Sequence, residues 1–350
     1  MKKHIVAMVL MLSMLSTLIA GCGSDATGTP PQPSASGAQT KDVAEKAITF
    51  VLYNSTSGTR TDQAIEEIAS LVSEYSDGRI TAKVITAGTV GGDAETVEAI
   101  SMGTLDVAIL TDDALNRFTG TTGWANFPYI VSNYDEADKE YIHGWIGEEI
   151  KAAAKERNIQ ILGFAVSGFR NVLSSRDLTT IDDFKGLKIR CPDTPLYTRL
   201  WELFGALPVA MEGHEQPTAL EQGMIDGVDN TMLGMKVFSL FDYCDHLLIT
   251  QHMFSALGIG ASMTFWDSLT QEDQAILEKA VSEAAEHLNQ NILDDNQAMI
   301  DEGIKNGLKV TYPDEKLLSD LKAYAYQVWD ELGKDYDPEI MARIKESAEK

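Results

Sequence analysis

Between Ile48 and Leu110 the apolar positions switch repeatedly between two spacings. Ile48-Thr49-Phe50-Val51-Leu52-Tyr53 is an almost unbroken apolar run of strand length, the pattern of a strand covered on both faces. Asn54 to Gly58 supplies turn residues. From Thr61 to Tyr75, Ile65, Ile68, Ala69 and Val72 recur at helical spacing until Asp77-Gly78 stops them. Ile80 to Ile85 alternates as a second strand, Val90-Gly91-Gly92-Asp93 opens a helix through Met102, and Val107-Ala108-Ile109-Leu110 makes a third strand. This β-α-β-α-β order implies a largely parallel sheet with right-handed crossovers.

The pattern then predicts a helix over Tyr134 to Asn158 and a strand over Ile159 to Val166. From Gly168 it becomes paired short strands, followed by helices at Thr194 to Phe204 and Pro217 to Gly223, a strand at Ile225 to Asp229 and a helix at Met232 to Phe241. Two more apolar strands are expected at His246 to Thr250 and Ala256 to Met263. Thr270-Gln271-Glu272-Asp273 has the form of a capping box, with Leu269 as its staple, and opens a helix reaching about Lys305. A body of about 300 residues exceeds one compact core. The expected fold is therefore α/β with two lobes, a hinge, parallel or mixed sheets and the long helix crossing between lobes. Residues 46–167 with 256–295 form the first lobe and 168–255 with 296–323 the second, with helices in 324–350 packing back on the body.

The amino terminus changes the picture of where the chain works. Lys2 and Lys3 precede an apolar stretch, Ile5 to Ala20, that is short for a membrane span. Ile19-Ala20-Gly21-Cys22 has the form of a lipobox, so residues 1–21 read as a lipoprotein signal peptide and Cys22 as the lipidated residue. Residues 22–45, with Pro30, Pro31 and Pro33 among small polar residues, read as a flexible linker. The expected location is extracytoplasmic, in the periplasm or on the outer face of the cell membrane, with a lipid anchor.

The 53 acidic residues against 28 basic ones exclude a general nucleic-acid binder and argue against docking on anionic lipid by charge. Cys191 and Cys244 are expected as unpaired buried thiols. The six histidines form no HxxxH or HxH pair, and Walker, GxGxxG and GxSxG patterns are absent, so no metal, cofactor or catalytic set is expected. One stretch runs against the overall charge. From Phe164 to Arg199 stand Arg170, Arg176, Lys185, Lys188, Arg190 and Arg199, against Asp177, Asp182, Asp183 and Asp193. Asp182-Asp183 follows Thr180 as first-turn helix charge. Arg190 closes the short strand of Asp183-Phe184-Lys185-Gly186-Leu187-Lys188-Ile189-Arg190, the strand end at which open α/β sheets hold ligands. Its planar fork suits a carboxylate. Composition alone leaves two readings open, a small-anion site or an edge-strand arginine paired with a surface acid.

That stretch resembles a signature of the extracytoplasmic solute-binding proteins of TRAP transporters, the DctP-type family. So do Leu203-Phe204-Gly205-Ala206-Leu207-Pro208-Val209-Ala210-Met211 and Ala219-Leu220-Glu221-Gln222-Gly223-Met224-Ile225-Asp226-Gly227-Val228-Asp229-Asn230. Phe127-Pro128-Tyr129-Ile130, Gly168-Phe169-Arg170 and the long carboxyl-terminal helix extend the likeness over about residues 47–330.

The resemblance implies a non-enzymatic receptor that captures an organic acid, such as a uronate or other sugar acid, and delivers it to TRAP membrane subunits. It implies that Arg190 grips the ligand carboxylate, that Arg170 assists, and that Asn230 orients it. Asn54, Asp93 and Thr111 match ligand-facing positions of the first lobe. Asn54 and Asp93 also fit as a turn residue and a helix N-cap, and Asn230 as the cap of the following helix. Ala114 stands where sialic-acid binders have an arginine, which points away from sialic acid. Asp229 and Thr231 replace the Glu and Pro usual beside Asn230. Gly213 replaces an aromatic residue, leaving room for a bulkier ligand or for a ring such as Phe169, Tyr197 or Trp266. The chain is expected to be a monomer. The competing assignment is the binding module of an ABC importer or sensor.

Overall fold

The computed structural model describes residues 46–348. The signal peptide, Cys22 and linker expected in residues 1–45 lie outside the described residues. The three amino-terminal apolar runs are strands β1 (Ile48–Tyr53), β2 (Ile80–Ile85) and β3 (Val107–Thr111). The helices Arg60–Tyr75 and Asp93–Ser101 connect them. Ile65, Ile68 and Val72 are fully buried, as the spacing requires, because that helix lays one apolar stripe on the sheet.

Six further strands complete one mixed sheet: β4 (Ile159–Ser174), β5 (Lys188–Cys191), β6 (Leu207–Ala210), β7 (Gly227–Thr231), β8 (His246–Ser262) and β9 (Lys309–Thr311). The order is β2-β1-β3-β8-β4-β7-β5-β6, with β9 beside the first residues of β8. β1 is parallel to β2 and β3, while β5 is parallel to β6 and β7. Between these sets, β3–β8, β8–β4 and β4–β7 are all antiparallel. Three reversals turn one parallel set against the other. The carboxyl ends of β1 and β3 therefore face those of β5 and β7 across the β4–β8 pair.

Three sequence expectations are corrected. The helix expected over 134–158 is interrupted: a short turn at Tyr134–Glu136 runs into a π-helical segment, Ala137–Ile142, and a new helix occupies Trp145–Lys155. Gly144 makes the break, because a Cβ there would lie 2.1 Å from the Lys139 carbonyl oxygen. The strand expected to end at Val166 continues to Ser174. Gly168, at φ +119°, carries a register shift rather than a stop. The two strands expected between His246 and Met263 are one. Gln251, at φ 44°, absorbs the irregularity, and its N–H donates to Asn171 Oδ1 at 3.1 Å.

The long helix is present as Gln271–Lys305, with Thr270 and Asp273 forming the expected box: Asp273 N–H donates to Thr270 Oγ1 at 3.2 Å. Leu277, Val281, Leu288 and Ile292 belong to the larger of two hydrophobic clusters, which spans most of the body. Met299 and Ile300 pack on the smaller one, around Val228, Met232 and Leu247. The helix thus connects the two cores. The helices Glu315–Leu332 and Pro338–Ala348 close the chain, and Trp329 Nε1 donates to the Pro128 carbonyl at 3.0 Å. Among the described residues no helix is long and apolar enough to cross a membrane.

Candidate ligand-binding cavity

Where the opposed strand ends meet, a cavity of about 410 Å³ opens over the middle of β4 and β8. Asn54 follows β1, Thr111 ends β3, Arg190 and Pro192 lie at the end of β5, and Asn230 and Thr231 end β7. Ser167 and Arg170 of β4, with Ser255, Ala256 and Leu257 of β8, form its floor. All six residues singled out from the sequence (Arg190, Arg170, Asn230, Asn54, Asp93 and Thr111) line this one cavity.

The two arginines differ sharply. Arg170 is committed: Nε donates to Asp229 Oδ1 at 2.7 Å, Nη2 donates to the Asp229 carbonyl oxygen at 2.6 Å, and the guanidinium sits 4.9 Å from the Tyr197 ring centre. Trp201 Nε1 donates to the other Asp229 oxygen at 3.0 Å. His252 Nε2 lies 3.4 Å from Oδ1. Burial works against both charges, but the pairing outweighs it. Arg170 is held more firmly protonated than usual, and Asp229 well below the usual carboxylate range.

Arg190 is also 5% exposed, yet no acidic side chain pairs with it among the described residues. Nε and Nη2 donate to the Met211 carbonyl oxygen at 3.0 and 2.8 Å, which orients the fork and leaves Nη1 unengaged. Burial, and secondarily the Arg170 charge, depress its pKa. A buried cation without an anion is costly, and a bound carboxylate would relieve it. The surface ion-pair alternative fails on both counts, since β5 lies inside the sheet between β7 and β6. The basic stretch does not act as one patch either. Arg176, Lys185, Lys188 and Arg199 turn to other partners, such as the Asp183 carbonyl, Asp182, Asp226 and Glu331.

The remaining predicted residues have mixed duties. Asn54 Nδ2 reaches Thr61 Oγ1 at 2.9 Å and Asp62 Oδ1 at 2.7 Å, tying β1 to the start of the next helix. Asp93 is not the N-cap of its helix. Gly92 holds that position, and the Asp93 carboxylate accepts from Ser55 Oγ at 3.0 Å. Burial first, then the Asp113 charge, push the Asp93 carboxyl up to about 6. Asn230 does not cap the following helix either: Thr231 does, accepting from Gly234 N–H at 3.1 Å. Asn230 Nδ2 instead donates to Gln216 Oε1 at 3.3 Å. Thr111 presents a buried hydroxyl with no hydrogen-bond partner among the described residues.

Several lining residues escaped the sequence reading. Ser255 is 3% exposed and its hydroxyl has no hydrogen-bond partner among the described residues. Its signal was a single polar residue inside Met253-Phe254-Ser255-Ala256-Leu257. Asp112 and Asp113 were hidden by the general acidity. The buried Asp112 carboxylate accepts from Ala256 N–H at 3.0 Å and Asn126 Nδ2 at 2.9 Å, with its pKa pushed by burial, then by Asp113, to about 7. The ring beside Gly213 is Phe238, not Phe169, Tyr197 or Trp266. A Cβ on Gly213 would meet the Phe238 ring at 2.9 Å, whereas the other three rings are buried in the core. Cys191 and Cys244 are free and buried, with burial pushing each thiol to about 12. No group of metal-binding side chains occurs among the described residues.

Residues 52–335 match the family model of the bacterial extracellular solute-binding proteins, family 7 (DctP). The 2,3-diketo-L-gulonate-binding periplasmic protein YiaO of Escherichia coli (strain K12) is 28% identical over 277 residues, 78% of this chain and 83% of its own. The C4-dicarboxylate-binding periplasmic protein DctP of Rhodobacter capsulatus is 26% identical over 284 residues, 79% of this chain and 83% of its own. A TRAP periplasmic solute binding protein from Haemophilus influenzae, solved with bound L-gulonate, superposes with a TM-score of 0.79 at 24% identity. That superposition covers 86% of this chain and 99% of the other, and shows the shared fold.

Proposed function

The chain belongs to the bacterial extracellular solute-binding proteins of family 7, and from that premise we propose that it captures a small organic acid, of the sugar-acid class, for TRAP membrane subunits. The observation that carries this reading is Arg190, a buried cation at a cavity wall, held in a fixed orientation by the Met211 carbonyl and without an acidic partner. Arg190 supplies the bidentate grip on the carboxylate. Arg170, held in place by Asp229, assists by shaping the wall beside it, and Asn230 orients the group. Asn54, Asp93 and Thr111 contact the rest of the molecule. Charge-assisted hydrogen bonds contribute about 1.5–3 kcal/mol each. Micromolar affinity corresponds to roughly 8 kcal/mol, so two or three such bonds with burial suffice without a metal.

In this reading the two ends of the sheet act as lobes that close on the ligand, the motion being taken up near Gly168 and Gln251, where β4 and β8 lose register. The protein carries no catalytic role, works outside the cytoplasm as a monomer, and is tethered by lipid on Cys22 after removal of residues 1–21. A thermal-shift screen against an organic-acid library tests the binding reading, because a ligand of the folded state raises the melting temperature. Sugar acids should raise it in the wild type and not in Arg190→Ala. Shifts by uncharged sugars alone, or shifts that survive Arg190→Ala, would sink it.

A further inference from the structure

The cavity lining is unevenly charged. Arg170 is matched by Asp229, and Glu212 lies 3.5 Å from Arg117. Asp112 is engaged by the Ala256 N–H and the Asn126 side chain. Four charged groups remain without a charged partner among the described residues: Arg190, Asp93, Asp112 and Asp113. Among the described residues Asp93 has only the Ser55 hydroxyl, and the Asp113 carboxylate has no hydrogen-bond or ion-pair partner. One cation therefore faces three carboxylates. Arg190, Asp93 and Asp113 also wall a niche of about 20 Å³ together with the paired Arg117 and Glu212, room for one water and not for a second acid group.

We propose that the cavity admits ligands with a single anionic group and rejects dianions, the part of the ligand away from its carboxylate carrying hydroxyl donors. This inference rests on the organic-acid reading above. A first carboxylate is matched by Arg190. A second would find no other unpaired arginine or lysine in the described lining, and the nearby Asp93 and Asp113 would repel it in a partly dry site. Hydroxyl groups have the opposite relation to this wall, since each ionised carboxylate accepts hydrogen bonds and cannot donate. The unpartnered Ser255 and Thr111 hydroxyls, both buried at the cavity, can complete that set from the floor and from β3. The relatives leave the choice open, because one is named for a keto sugar acid and another for C4-dicarboxylates.

The test uses acids matched in carbon skeleton: D-galactonate with galactarate, D-gluconate with D-glucarate, and butyrate with succinate. Affinities for the purified protein are measured by calorimetry at neutral pH. The best monoacid should bind at least tenfold tighter than its diacid partner. The double variant Asp93→Asn/Asp113→Asn should narrow that gap at least threefold while the ligand-free protein melts no lower than wild type. A diacid within tenfold of its partner in the wild type overturns the inference and leaves the organic-acid reading intact. An unchanged gap in the folded double variant also overturns it. Silence of the whole panel, mono- and diacids alike, removes the organic-acid reading and this inference with it.

Discussion

Replacing Arg190 by lysine keeps the charge and removes the fork. In the native site Nε and Nη2 share the Met211 carbonyl oxygen, and Nη1 is unengaged. A lysine ammonium has no rigid plane, so it cannot hold that carbonyl with one edge and offer two parallel hydrogen bonds with another. Binding should lose about one to two charge-assisted bonds, or roughly 3 kcal/mol. That corresponds to about two orders of magnitude in Kd. Folding should lose far less, because the cation remains and a single bond to the Met211 carbonyl can be remade. The expected cost of about 1 kcal/mol lowers the melting temperature by about 2–4 °C. Calorimetry gives the first number and a ligand-free thermal melt gives the second. A lysine variant that binds within tenfold of the wild type refutes the bidentate grip. A variant that loses binding only in proportion to a collapsed melting temperature refutes the separation of binding from folding.

Ser255→Ala removes a buried hydroxyl with no partner among the described residues, so stability should hold or rise slightly while affinity falls about fivefold, the size of one neutral hydrogen bond; titration beside a melt reads both. Asp229→Asn should destabilise strongly, by about 3 kcal/mol or more, because it leaves the buried Arg170 uncompensated; denaturant titration checks the magnitude. The Asp93 carboxyl, at about 6 when folded against an ordinary 3.8, binds its proton more tightly in the folded state. Ligand-free stability should therefore rise as pH falls through about 6 toward 4. The groups bearing on Asp93 are Asp113 and Glu212, which raise it, and Ser55 and Arg190, which lower it. Thermal melts of wild type and Asp93→Asn across that window should differ in slope, and parallel curves would count against the assignment.

Strand ends were the legible part of the site. Asn54, Thr111, Arg190 and Asn230 each stand at or just past the carboxyl end of an apolar run, and in this topology those ends converge. What the periodicity could not convey was the length of β4 and β8, because Gly168 and Gln251 interrupt the pattern without interrupting the pairing. The partners of the two arginines were equally invisible. Arg170 finds Asp229 across a β-ladder 59 residues away in sequence, whereas Arg190 finds a backbone carbonyl. The ring beside Gly213 was left open in the sequence because a missing side chain says nothing about which neighbour fills its space. Phe238 does so from another helix boundary. Ser255 shows the complementary failure, an isolated polar residue that a buried strand tolerates only where something else meets its hydroxyl.

The cavity places its anchor and its selectors on different kinds of ground. Arg170, Arg190 and Ser255 are fixed by interior strands, whereas Asp93 and Asp113 sit in the opening turns of two helices and are only half buried. Substitution of the buried arginines in the first group costs stability, and substitution at the second touches little beyond the cavity wall. A lineage built on this arrangement can therefore exchange one nutrient for another by single changes at helix starts while its receptor goes on folding as before. Diversity of diet, in such a protein, requires no diversity of architecture.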